Sequence, residues 1–271
     1  MKFLKLAVIS CTILIALASC SKPQKAILSD EEQATLEDEI ITQLDSIALQ
    51  LCEISTNPQL QALFNADSLQ ISEEQLLVKP EYLLKESDLN ELVDLSQKYR
   101  ARAIAMADEH IRKMYQLFGE SGYYAAIQNL QLEINDAALQ KIVEQGVAAV
   151  FSPETYRSFY EEMKAANRIE YFYDVAAALT VESIYLISNN IDLYNIRLTD
   201  DASAALSQNL QNCMQAVALL APSRPQMRSL LLALKPLNKI NATTSEELKQ
   251  QLSILSTQIT VIRKAMILDK E

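Results

Sequence analysis

SEELKQQLSILSTQITVIRKAMIL, residues 245–268, spaces Leu248, Leu252, Leu255, Ile259, Ile262 and Met266 alternately four and three apart. At about 100° per residue this draws a narrow apolar seam along one side of an α-helix, whereas a strand would scatter the same residues over both faces. Leu206, Leu210, Cys213, Val217 and Leu220 repeat the pattern earlier in the chain. Only Gly119, Gly122 and Gly146 supply glycine in 271 residues, too few for a fold built on hairpin turns, while Leu, Ala, Gln and Glu abound. The sequence predicts an all-α fold, a multi-helix bundle of antiparallel helices forming one domain over 30–271.

Caps and stops divide that domain. Ser29-Asp30-Glu31-Glu32 reads as a capping box opening a helix to Ser55, and Asn57-Pro58 as a cap and first-turn proline for a short helix to Ala66. Ser72 to Gln75 opens a short piece that stops near Pro80. Ser87 caps the longest pattern, which runs to Phe118 and stops at Gly119. Helices are then expected from Gly122 to Leu132, from Asp136 to Val150, and from Ser152-Pro153 to Asn189 with a break near Asn167. Thr199 caps a helix to Leu220; Pro222, Pro225 and Pro236 bracket a short one; Ser245 opens the last. Most aromatic residues fall between Tyr115 and Tyr194, which places the centre of the core there.

The N-terminal end is organised differently. Lys2 and Lys5 precede an apolar run from Leu6 to Leu17, and small Ala18 and Ser19 lead to Cys20. As a helix the run spans about 18 Å, short of the ~30 Å hydrocarbon core, so it reads as a cleaved leader and not a membrane span. Leu17-Ala18-Ser19-Cys20 resembles the lipobox of bacterial lipoproteins, over residues 1–22 only. That resemblance implies that residues 1–19 are removed, that Cys20 is acylated, and that its fatty chains anchor the protein to a membrane. Ser21 after the cysteine implies the outer membrane, and the basic Lys22-Pro23-Gln24-Lys25 favours its periplasmic face. Residues 20–29 then form a lipidated tether that can extend on the order of 30 Å.

Charge and cysteine content narrow the function classes. The net charge of −11, which loss of Lys2 and Lys5 makes still more acidic, repels nucleic acid, so no nucleic-acid partner is expected. Glycine scarcity excludes phosphate-cradling loops, and a single histidine, His110, excludes paired Glu-x-x-His di-iron sites. No cofactor, metal or catalytic residue is assigned. Cys52 and Cys213 lie on apolar stripes, which suits buried thiols, although an oxidising compartment also permits a bridge between them.

Three constellations remain. On the segment from Asn167 to Asn189, Tyr171, Asp174, Glu182 and Tyr185 share an arc about 80° wide on an otherwise apolar helix. Either it is a solvent strip, or these four residues line a cleft for a cationic or hydroxyl-rich ligand. His110, flanked by Met106 and Met114, is a core histidine or a soft metal or haem site. Glu120-Ser121-Gly122-Tyr123 resembles the stretch around the catalytic acid of lysozyme-like lytic transglycosylases. Ala125-Ala126-Ile127-Gln128 stands where that family has a Gly-Leu-Met-Gln type segment; if the resemblance held, Glu120 would protonate a glycosidic oxygen. The expected function is a non-catalytic binding or scaffold module for an envelope protein partner or a small ligand. A cell-wall glycosidase using Glu120 and a metal or haem carrier using His110 are the alternatives.

Overall fold

The computed structural model describes residues 30–55, 57–64, 93–131, 153–191 and 198–268. The leader, Cys20, the tether, and the helices expected at Ser72 to Pro80 and Asp136 to Val150 lie outside the described residues. The chain divides into two units, Met1–Ile41 and Thr42–Glu271. Of the first, Asp30–Ile41 is helical, and residues 33–41 are largely exposed.

Among the described residues the fold is an all-α multi-helix bundle with no strand. Its helices are α1 (Asp30–Ser55), α2 (Pro58–Phe64), α3 (Val93–Gln131), α4 (Pro153–Ala165), α5 (Ile169–Asn189), α6 (Asp200–Leu220), α7 (Pro225–Leu234) and α8 (Ser245–Leu268), with a 3-10 turn at Lys235–Lys239 before α8. The predicted punctuation is present in atomic detail. Asn57 Oδ1 accepts from the Gln59 and Leu60 amides at 2.8 and 3.3 Å, and Thr199 Oγ1 from the Ala202 amide at 3.1 Å. Thr244 and Glu247 form a reciprocal capping box, one residue ahead of the predicted Ser245 start. Gly119 breaks α3 with a φ of 63°, and Asn167, also left-handed at 54°, turns the chain from α4 into α5. After the Gly119 break the chain returns tightly: a Cβ at Gly122 would collide with the Met114 carbonyl oxygen.

Both apolar seams are buried along their whole length. In the second unit α5 is the central helix, packed against α3, α4, α6, α7 and α8. It is buried almost end to end, with Ala176, Ala177 and Ala178 letting neighbours approach closely. Phe172 and Tyr173 join Tyr156 and Tyr160 of α4 in an aromatic cluster, and the Tyr173 hydroxyl donates to the Leu44 carbonyl at 2.5 Å. The amide-rich face of α6 is bonded internally: Gln211 donates to the Ile240 carbonyl, Ser207 accepts from the Ala242 amide, and Asn209 donates to Thr180.

The antiparallel expectation does not extend to α3 and α5. Arg102 meets Asp174 and His110 meets Glu182, both pairs 72 residues apart, so the two helices run in the same direction. The intervening chain, which includes α4, gives it length to return before α5 begins.

Candidate functional site

The polar arc of α5 turns inward. Asp174 and Glu182 are buried, as is Tyr185, and only the ends of the arc, Asn167, Tyr171 and Asn189, reach solvent. Glu182 has no exposed surface. Its two oxygens accept from Arg263 of α8, at 2.6 Å from Nε and 3.2 Å from Nη2, while His110 Nδ1 of α3 lies 3.1 Å away. Arg263 also stacks 4.1 Å above the centre of the Tyr185 ring. Burial opposes charge on Glu182, but Arg263 and the His110 hydrogen bond together outweigh it and hold the carboxyl below its usual range. About two turns away along α5, Arg102 bridges Asp174 and the Met266 carbonyl. The cations that the sequence reading assigned to a ligand are thus supplied to Asp174 and Glu182 by Arg102 and Arg263. Tyr171 stands apart, with the Arg168 guanidinium 5.0 Å from its ring.

His110 is fully buried between equally buried Met106 and Met114. No group of three or more His, Cys, Asp or Glu side chains among the described residues is placed to hold a metal ion. Glu120, just past the Gly119 break, is solvent-exposed, so the apolar groove that a glycosidase acid requires does not surround it. No disulfide joins Cys52 and Cys213; burial pushes Cys213 up to about 12 and raises Cys52 as well, away from the reactive thiolate. No described helix is long and apolar enough to cross a membrane.

A second ionic cluster lies on another face of α3 and borders a cavity of about 120 Å³. Glu109 is bonded by Arg112 and by Ser183 of α5, with Lys113 Nζ at 3.4 Å and Asp108 4.0 Å from Arg112. Burial alone would raise Glu109, but Arg112, Lys113 and the Ser183 hydrogen bond outweigh it and hold the carboxyl below its usual range. Asp108 goes the other way: burial pushes it up to about 7, Arg112 resisting and Glu109 adding to the rise. Lys113 is driven down to about 8, chiefly by burial, with Glu109 resisting and Arg112 contributing. Arg102 Nε and Arg112 Nε are buried without a hydrogen-bond partner, as are Asp108 Oδ1 and Gln116 Oε1. Glu109, Arg112, Lys113 and Gln116 form one wall of the cavity, Thr180, Ser183 and Asn209 another, and Leu51, Ile54, Leu60, Tyr156, Ala176, Leu179 and Leu206 the remainder.

Sequence reasoning brought out Asp174, Glu182 and His110 but not the arginines that meet them, nor the cluster at 108–113. Arg263 carried a signal, since it lies four residues after Ile259 and three before Met266 on the flank of the α8 seam. Asp108-Glu109 followed by Arg112-Lys113 reads as an ordinary solvated set of i,i+4 pairs. Comparison with protein families, with curated proteins and with solved structures finds no match.

Proposed function

We propose that this chain is a lipoprotein of the bacterial outer membrane, cleaved before Cys20 and acylated there, whose helical body is a non-catalytic binding module facing the periplasm. The leader residues, ending in Leu17-Ala18-Ser19-Cys20, support the anchor. The observation that carries the binding role is the cavity beside Glu109, Arg112 and Lys113, which combines apolar walls from several helices with a few converging polar groups. Its chemistry suits holding more than reacting: the Ser183 hydroxyl donates to a carboxylate whose basicity the neighbouring cations lower.

Metabolic labelling with a fatty acid and native mass spectrometry test the two halves. Label should enter the wild-type protein and be absent from Cys20→Ala. Protein released gently from its own membranes should carry a small-molecule mass that denaturation removes and that Ala176→Leu, which fills the cavity, abolishes. An unmodified Cys20 thiol overturns the anchor. A body with no bound mass, together with identical spectra for Ala176→Leu, overturns the binding role.

A further inference from the structure

We infer that the cavity takes a small organic monoanion, a branched or short-chain carboxylate whose head sits on Arg112 and whose tail lies along Leu51, Ile54, Leu60 and Leu206. This rests on the binding-module reading and names the ligand class for the same site.

The argument from charge concerns the groups on the cavity wall. Arg112 and Lys113 bring two cations to it and Glu109 one carboxylate, whose oxygens already accept from Arg112 and Ser183. Asp108, the other nearby acid, is not on the wall and holds its proton to about pH 7, so it leaves the excess positive charge only partly offset. Arg112 is only partly exposed and Lys113 less so, so water screens their excess charge incompletely, and a monoanion supplies both a counter-charge and hydrogen-bond acceptors. An anion would also relieve the burial that disfavours the charged form of Lys113.

Hydrogen bonding points the same way. Arg112 Nε is buried with no acceptor, and Asn209 spends one of its two N–H groups on Thr180, leaving the other for an incoming oxygen. The Gln116 amide, whose oxygen has no donor, presents its NH₂ to the same oxygen after a half-turn. Size limits the rest. A cavity of about 120 Å³ is slightly smaller than the ~150 Å³ void known to admit benzene, so the tail has a handful of carbons and an aliphatic lining to meet it.

Calorimetry and ligand-detected NMR on the intact protein, stripped of co-purified ligand by reversible dialysis, test this with three isosteres: 3-methylbutanoate, 3-methylbutan-1-ol and 3-methylbutylammonium. The carboxylate should bind at least tenfold more tightly than the alcohol, and the ammonium should not compete. Arg112→Gln should weaken the carboxylate tenfold or more and leave the alcohol unchanged; should that variant fail to fold, the three-isostere series on the wild-type protein decides alone. Binding of the alcohol or ammonium as tightly as the carboxylate overturns the anion assignment and leaves the binding module standing. No binding of any isostere, while native spectra still show a displaceable mass, likewise overturns the assignment. No binding and no native mass remove both.

Discussion

Two groups of buried charge share helix α3, and they differ in what surrounds them. Arg102 with Asp174, and His110 with Glu182 and Arg263, are enclosed on every side by α3, α5 and α8, and Glu182 and Arg263 reach no solvent. Asp108, Glu109, Arg112 and Lys113 border a cavity, and the Arg112 side chain keeps 30% of its surface exposed. In the enclosed group each carboxylate has a guanidinium, so its chemistry is spent on holding helices together. In the other group the cations outnumber the carboxylates on the wall of a cavity. The lesson is that burial alone does not separate a structural charge from a ligand-directed one; the balance of charge around it does.

The largest effect should come from breaking the enclosed group. Arg263→Met strands Glu182 with His110 alone and should cost about 3–5 kcal/mol in urea unfolding, whereas adding Glu182→Leu should recover most of the loss. Arg112→Met, with partial exposure, should fall between that cost and the ~1 kcal/mol of exposed pairs. Equal losses for Arg263→Met and Arg112→Met would erase the distinction between the two groups.

A smaller effect should appear in pH dependence. Asp108 is raised, so between its ordinary 3.8 and about 7 the folded chain keeps a proton that the unfolded chain releases, and stability from this group falls as pH rises through that window. Glu109 and Glu182 are lowered; their contribution is present above the ordinary 4.5 and is lost as pH falls through their folded values. Lys113 is lowered, so stability rises with pH from about 8 to 10.5, where only the unfolded chain still holds the proton. Unfolding midpoints for Asp108→Asn should lose the decline between pH 4 and 7 and keep the acid limb. A variant curve parallel to wild type would place the decline elsewhere.

The smallest expected effect lies outside both groups and calibrates them. Thr199→Ala removes a single cap on α6 and should cost about 1 kcal/mol by the same unfolding measurement. A loss as large as that of Arg263→Met would mean that unfolding midpoints do not resolve the contrast.

Much of the helical framework was legible because its signals are local. Seam spacing in 206–220 and 248–266, the caps at Asn57 and Thr199, and the breaks at Gly119 and Asn167 all depend on residues within one or two turns. The arc through Asp174 and Glu182 was also visible, but periodicity gives only the phase of a helix and not what its polar side faces. Arg102 and Arg263 lie 72 and 81 residues from their partners, beyond any local pattern. The run Asp108 to Lys113 carries no local mark of burial, because pairs at i,i+3 and i,i+4 spacing are the ordinary pattern of a solvated helix face. The cavity is empty space between separate helices, which no single stretch of sequence encodes.

The constant offset of 72 residues between α3 and α5 works like two teeth on one key. Sliding α3 past α5 by a single turn would set Arg102 against Ala178 and His110 against Leu186, parting both pairs simultaneously. Intermediate positions are therefore penalised twice, and any rearrangement of α5 has to carry α3 along as one piece.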